Sequence, residues 1–300
     1  MGTAQQPVPF LKGHGTENDF VIIPDPDDRL DLSPAAVARL CDRRAGIGAD
    51  GLLRVVRATG EAEWFMDYRN ADGSLAEMCG NGVRVFARYL QRAGLAKGEG
   101  GDLPIATRAG VRRVRFEDDG DITVAMGAAA LPGGPAESVT VTVGERSWPA
   151  RHVDMGNPHA VAFVASLADA GPLREAPAVS PASAYPQGVN VEFVVDRGPR
   201  HVALRVHERG SGETRSCGTG ACAVMVAAVR RDGLDPAADG RAVTYTVDVP
   251  GGRLVVTEEA SGAVTMKGPA VIVAEGTLDA EWLYQSWPHQ AHISATFPRT

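Results

Sequence analysis

Apolar positions along the chain fall into many short β-branched runs and three longer stretches with helical spacing. Phe20 to Ile23, Leu52 to Val56, Val111 to Phe116 and Ile122 to Met126 each predict a strand. So do Val139 to Val143, Ala160 to Val164, Val189 to Val195 and Val202 to His207, and later Val243 to Val249, Arg253 to Thr257 and Val271 to Ala274. Pro34 to Arg43 predicts a helix, with Ser33 as its N-cap and proline at the first helical position. Gly80 to Ala93 predicts a second, with Val83, Phe86, Ala87 and Leu90 on one face, and Gly218 to Arg231 a third with an Ala/Val/Met face. The cluster Leu131-Pro-Gly-Gly-Pro135 near the middle reads as a linker. Strands dominate, with one long helix in each half, so the pattern predicts two mixed α/β domains.

An internal repeat sharpens that division. Met78-Cys-Gly-Asn-Gly82 opens one long helix and Ser216-Cys-Gly-Thr-Gly220 opens the other, with the cysteines 138 positions apart. Asn18 lies 61 residues before Cys79, and Asn157 lies 60 before Cys217. Asp50 and Asn190 precede their cysteines by 29 and 27, and Asn70 and Glu208 both by 9. Four matches in one order predict two homologous halves, each presenting a cysteine at a helix N-terminus.

Composition narrows the class. The chain has 300 residues, 44% hydrophobic and 22% charged, as in an ordinary folded protein. No apolar run reaches the roughly 18 residues of a membrane span. Met1 to Lys12 lacks the basic and apolar regions of a secretion signal. A net charge of -7 argues against a nucleic-acid surface, which needs a concentrated basic face. The three lysines, Lys12, Lys97 and Lys267, leave few candidates for imine chemistry. Four cysteines in a chain this long do not make a disulfide framework. A cytoplasmic globular protein is expected, with no membrane and no nucleic-acid partner.

The chemistry expected of the repeat follows from its position. A free cysteine with a pKa near 8.5 is only about 3% thiolate at neutral pH. A helix N-terminus lowers that pKa, because its unpaired N–H groups and the macrodipole favour negative charge. The same N–H groups form an anion site, and Gly80, Gly82, Gly218 and Gly220 allow a ligand close to the backbone. If the halves face each other, one thiolate can remove an α-proton while the opposite thiol delivers one to the far face. The carbanion's charge would spread into a carboxylate held by both helix ends.

Asn18-Asp-Phe20, Asn70-Ala-Asp-Gly-Ser74, Met78-Cys-Gly-Asn-Gly82, Met155-Gly-Asn-Pro-His159, Glu208-Arg-Gly-Ser-Gly-Glu-Thr214 and Cys217-Gly-Thr-Gly-Ala-Cys222 resemble the motifs of the diaminopimelate epimerase family, in order, from about Lys12 to Gly276. The resemblance implies a homodimeric enzyme without cofactor or metal that interconverts LL- and meso-2,6-diaminopimelate for lysine and cell-wall synthesis. It implies an α/β (α+β mixed) fold of two pseudo-symmetric domains, each a mixed, curled β-sheet around a central helix. The halves expected are residues 1–128 with 269–300, carrying Cys79, and 129–268, carrying Cys217. Cys79 and Cys217 match the catalytic pair, with Cys79 expected to deprotonate the LL form and Cys217 the meso form. Gly80, Asn81, Gly218 and Thr219 match the groups holding the reacting carboxylate. Asn18 and Glu208 match groups near the reacting amine. Asn70, Asn157, Asn190 and Arg209 match those gripping the distal centre, where an arginine fork suits a carboxylate. His159 and Glu208 match residues that adjust the thiols' protonation. Glu17 stands where the family has a small residue, Gly51 where some members carry glutamine, and Ala160 where cysteine is common.

Other features read as structural. Cys41 and Cys222 sit on apolar helix faces and are expected to be buried small hydrophobes. No Cys-x-x-Cys or His-x-x-x-His accompanies Cys79 or Cys217, which argues against zinc. His289 and His292 fall in a tail beyond about Glu281 that has no counterpart in the motifs. Gly46-Ile-Gly-Ala-Asp-Gly51 spells a dinucleotide fingerprint, but a helix precedes it and a strand follows, so a turn is expected. Two other readings remain at this stage: a related racemase of another amino acid, and a non-catalytic protein using the cysteine pair as a redox switch.

Overall fold

The computed structural model describes residues 7–96, 101–134 and 139–284. Its first half contributes β1 (Val8–Gly15), β2 (Asn18–Pro24), β3 (Gly51–Arg57), β4 (Trp64–Asn70), β5 (Leu103–Thr107), β6 (Gly110–Phe116) and β7 (Ile122–Ala128). The second contributes β8 (Val139–Val143), β9 (Arg146–Asp154), β10 (Pro158–Phe163), β11 (Ala178–Ser180), β12 (Asn190–Gly198), β13 (His201–Glu208) and β14 (Gly212–Thr214). It continues through β15 (Val243–Val249), β16 (Gly252–Glu258) and β17 (Ala263–Gly268), and β18 (Val271–Leu278) follows. The helices are α1 (Pro34–Cys41), α2 (Gly80–Arg92), α3 (Gly218–Arg231), α4 (Pro236–Asp239) and α5 (Ala280–Tyr284).

Every strand and long helix predicted from the pattern is present, with ends moved by a few residues. Helix α1 stops at Cys41 rather than Arg43 because Asp42 turns extended and its carboxylate accepts from the backbone N–H groups of Arg44 and Ala45. Its start is as expected, the Ser33 hydroxyl accepting from Ala36 N at 3.2 Å. Residues 46–51 form a turn into β3, and a side chain at Gly46 would lie 2.0 Å from the Arg39 carbonyl. Leu131 to Gly134 turn tightly, whereas Pro135, His289 and His292 lie outside the described residues.

The repeat is visible in the strand pairing. β1 lies antiparallel to β2, β2 parallel to β3, β3 antiparallel to β4 and β4 parallel to β5, before β5, β6 and β7 meander. In the second half β9 lies antiparallel to β10, β10 parallel to β12, β12 antiparallel to β13 and β13 parallel to β15, before β15, β16 and β17 meander. β18 returns to lie on β1 as β8 lies on β9, and β7 pairs with β17 to join the two sheets. This is a mixed α/β fold of two pseudo-symmetric domains.

Each sheet curls round its long helix. α2 packs against β1, β2, β3, β4, β6, β7 and β18, and α3 against β9, β10, β12, β13, β15, β16 and β17. A helix enclosed by strands needs apolar residues all round. Eleven of the fourteen α3 residues are buried, and α2 buries Val83, Val85, Phe86, Ala87, Tyr89 and Leu90. Truncating Phe86, fully enclosed in the shared core, to alanine costs about 3–5 kcal/mol. Enclosure also fixes where each helix begins, and the helix starts carry the chemistry.

Candidate active site

Cys79 and Cys217 occupy the same structural position. Each is the extended N-cap of its helix, a place usually filled by a hydroxyl or carboxylate. The Cys79 sulfur accepts from Gly82 N at 3.4 Å, and the Cys217 sulfur from Gly220 N at 3.3 Å. The two starts meet. The Asn81 carboxamide donates to the Ser216 carbonyl at 3.1 Å and to its hydroxyl at 3.2 Å, and the Thr16 and Ser216 hydroxyls are 2.6 Å apart. Met266 lies between the helix starts. A Cβ on Gly80 would come within 2.7 Å of its methyl, and one on Gly218 within 3.1 Å. Both glycines are therefore needed for so close an approach.

Around Cys79 the candidates converge. The thiol donates to the Asn18 carboxamide oxygen at 3.5 Å, and the same oxygen accepts from Asn81 at 3.2 Å. Asn18 is held from behind by the Asp50 carboxylate at 2.8 Å, and Asp50 by Arg43 at 2.6 Å. Glu17 does not enter this cluster. Exposed and with a φ of 62°, it pairs with Arg215 of the other half, so the residue that departs from the family pattern ties the two halves together.

Around Cys217 the neighbours are different in kind. Thr219 Oγ1 lies 3.5 Å from the sulfur and 3.3 Å from the Asn157 amide. The Asn157 oxygen is 3.1 Å from His159 Nε2, and His159 Nδ1 is 2.6 Å from the Glu192 carboxylate. His159 and Glu192 are completely buried. Glu208 accepts from Thr214, and burial holds its carboxyl above the usual range despite that hydroxyl.

The remaining candidates stand further out. Asn190 is buried and accepts from Arg209 N at 2.8 Å. The Arg209 guanidinium is exposed and donates to the Gln187 carbonyl at 3.1 Å. Asn70, at the end of β4, donates to Ser74 at 3.0 Å and makes no hydrogen bond to the other candidates among the described residues. Cys41 and Cys222 are buried free thiols, as expected of structural cysteines. Among the described residues no three His, Cys, Asp or Glu side chains come together as a metal-binding set.

The expected acidity of the thiols is corrected by the structure. Burial pushes Cys79 up to about 11, with Glu208 adding to the rise, while the Gly82 and Asn81 N–H groups oppose it. Cys217 is held well above the usual thiol range by burial and then by Glu208 and Glu192, against the Thr219 hydroxyl and Gly220 N–H. The helix starts act in the expected direction, but desolvation outweighs them.

Three residues of the site escaped the sequence reading. Glu192 is a lone acid in the apolar run Val189 to Val195, two positions from Asn190 and so on the same strand face. Arg84 is a charge amid the apolar positions of Gly80 to Ala93. Both carried a signal, since a charge inside an apolar pattern needs a partner or a purpose. Ser216 simply precedes Cys217, and nothing in the pattern distinguished it.

Similarity to known proteins agrees with this geometry. The family described as diaminopimelate epimerase matches twice, over residues 10–132 and 151–273, one match per half. The diaminopimelate epimerase of Streptomyces coelicolor is 69% identical, over 92% of this chain and 97% of that protein. That of Thermobifida fusca is 51% identical over 89% and 96%. A Bacillus anthracis phenazine biosynthesis protein of the PhzF family shares the fold at 17% identity, with a TM-score of 0.67 over 91% of this chain and 99% of that one. A hydroxyproline epimerase from Agrobacterium vitis does so at 15% identity, with a TM-score of 0.63 over 91% and 93%.

Proposed function

The chain belongs to the diaminopimelate epimerase family, and from that premise we propose that it interconverts LL- and meso-2,6-diaminopimelate, with Cys79 and Cys217 as the two acid–base groups. The observation that carries the assignment is the pair of cysteines capping two helix starts bridged by Asn81 and Ser216. In one direction the Cys79 thiolate takes the α-proton of the LL centre, and the Cys217 thiol gives a proton to the opposite face. The reverse reaction exchanges the roles. Electron density left on the α-carbon moves into the adjoining carboxylate, which the N–H groups at Gly80, Asn81, Gly218 and Thr219 receive. No organic cofactor is required in this scheme, because the helix ends supply the electron sink's stabilisation.

Asn18 and Glu208 orient the reacting amine, and Asn70, Asn157, Asn190 and Arg209 grip the distal amino-acid head. The Arg209 fork has to swing away from the Gln187 carbonyl to meet a carboxylate. His159, wedged between Glu192 and Asn157, passes its influence to Cys217 through Thr219. We read the domain boundary as residues 1–128 with 269–300 against 129–268, which the return of β18 to β1 supports. A cytoplasmic homodimer suits a biosynthetic enzyme. Val271 and Val273, exposed side by side on β18, offer an apolar face for a second copy.

The test is incubation of reduced protein with LL-diaminopimelate in deuterated water, followed by NMR and chiral chromatography. Meso product carrying deuterium at the inverted centre is expected. Folded, reduced protein that gives neither product nor exchange would contradict the substrate assignment.

A further inference from the structure

Among the described residues the buried charges are paired, with one exception. Arg54 lies 2.9 Å from both Asp25 and Asp67, Glu258 holds Arg230 at 2.5 Å, and Glu192 holds His159 at 2.6 Å. Arg84, in the second turn of α2, is completely buried and has no carboxylate within salt-bridge distance among the described residues. Its guanidinium donates to the Asn81 carboxamide oxygen at 2.9 Å, the Thr16 hydroxyl at 3.3 Å and the Pro269 carbonyl at 3.3 Å, with the Met266 sulfur at 3.7 Å. Every one of those partners is neutral. Burial pulls the guanidinium down to about 10, which still leaves it charged at neutral pH.

An unpaired buried cation is costly, and evolution has a simpler residue for filling the space. Its placement explains its presence. The Asn81 amide fixed by Arg84 is the one that reaches both Asn18 and Ser216, so one guanidinium orients the group joining the two half-sites. Asn18 in turn receives the Cys79 thiol. During turnover this junction gathers a thiolate, a substrate carboxylate and the charge of the carbanion, and no other buried cation stands behind it among the described residues.

We propose that Arg84 is a positioning residue of this site: a fixed countercharge for the anions that collect at the two helix starts, acting through the Asn81 carboxamide it holds. The proposal takes its anions from the epimerase reading above. Arg84 touches neither substrate nor thiol directly, so its contribution is a field and an orientation. The other charged or titratable groups acting on Cys79 or Arg84 are Glu208 from β13, Asp121 at the entry to β7, the Cys222 thiol on α3 and Tyr68 on β4. None of these is a second cation.

The test compares Arg84→Met, Arg84→Gln and Arg84→Lys with the parent protein, each checked for folding by circular dichroism. Two quantities are read: kcat and KM with LL-diaminopimelate, and the pH midpoint for alkylation of Cys79 by iodoacetamide, located by peptide mass. Removing the charge should move the Cys79 midpoint upward by about one pH unit. It should also lower kcat about 100-fold, as for loss of one preorganised donor at a developing charge, and alter KM much less. Arg84→Lys keeps the charge and loses the fork, so its midpoint should return towards the parent value while kcat recovers only in part. A folded Arg84→Met or Arg84→Gln protein with unaltered midpoint and kcat would overturn the proposal. So would a lysine variant no different from them in midpoint, because that pattern describes a purely structural residue. Should the methionine variant not fold, the glutamine and lysine variants decide the question. Alkylation needs no diaminopimelate, so a parent protein that fails to epimerise would refute the substrate reading while the midpoints still judge Arg84.

Discussion

The two cysteines are held alike and surrounded differently. Each caps a helix and accepts one N–H from the third residue on, at 3.4 Å in the first half and 3.3 Å in the second. Behind Cys79 stand Arg84, a set of carboxamides and Glu208; behind Cys217 stand Glu208, Glu192 and, through Asn157 and Thr219, His159. Cys79 is pushed up to about 11 by burial and one carboxylate, Glu208, against the Gly82 and Asn81 N–H groups and Arg84, while Cys217 carries two carboxylates, Glu208 and Glu192, that reinforce burial. Symmetric backbones thus place a thiol at each of two adjoining helix starts, and the side chains make them unequal. An inverting enzyme benefits from that inequality, since a productive state needs one thiolate and one thiol at the same time.

The largest effect expected is from removing either cysteine. Cys79→Ala and Cys217→Ala should each lower epimerisation by about 10^4-fold, the upper end for a general acid–base group. The sharper measurement is proton exchange. Cys217→Ala should still exchange the α-proton of the LL isomer with solvent, and Cys79→Ala that of the meso isomer. Exchange of both isomers by one variant would remove the division of labour between the halves.

The next effect is on pH dependence. A thiol raised to about 11 is protonated at neutral pH, so its thiolate fraction grows about tenfold per pH unit while pH stays below that value. kcat/KM for LL-diaminopimelate, which reports the free enzyme, should therefore climb between pH 7 and 9. A flat profile over that range would mean that Cys79 is already ionised in the free enzyme.

Glu192→Gln probes the second half alone. Losing a carboxylate beside Cys217 should make that thiol more acidic, moving its alkylation midpoint down by about one pH unit. Cys79 should be unaffected. Equal movement of both thiols would show that the charges are shared across the site.

Smaller still, and structural, is the contrast between two glycines. A methyl at Gly220 would lie 2.8 Å from the Glu192 carboxylate and 3.2 Å from the Cys217 sulfur. A methyl at Gly82 finds its nearest contact, a Leu53 methyl, at 3.3 Å. Gly220→Ala should cost about 1–3 kcal/mol by overpacking. Gly82→Ala should stay within about 1 kcal/mol, because gained helix propensity offsets the contact. Thermal or urea unfolding separates the two.

Much of this contrast was legible in the residue pattern, and the remainder was hidden for definable reasons. The helix starts, the repeat and most strands follow from spacing, because α2 and α3 are enclosed and enclosure demands apolar periodicity. β4 was missed because Asp67 and Arg69 look like loop residues. In the fold Asp67 is buried and shared among Arg54, Arg69 and Arg108. β1 was hidden by Pro9, Gly13 and Gly15, and β9 by Pro149. Of the candidate site, the N-caps and their glycines could be read from local motifs. The bridge from Asn81 to Ser216, the pairing of Glu17 with Arg215 and the surroundings of Arg84 depend on chain segments 68 to 198 residues apart, and local patterns carry no such information. The thiols' acidity was read with the wrong sign for the same reason, since depth of burial belongs to the folded whole.

The inequality of the two thiols is tested most directly by site-resolved alkylation of the reduced parent protein from pH 7 to beyond 11, as far as the protein stays folded. Midpoints are compared rather than rates, since access to the sulfur scales the rate without moving the midpoint. The account predicts that Cys79 reaches its midpoint at a lower pH than Cys217. Coincident midpoints, or Cys217 ionising first, would contradict it.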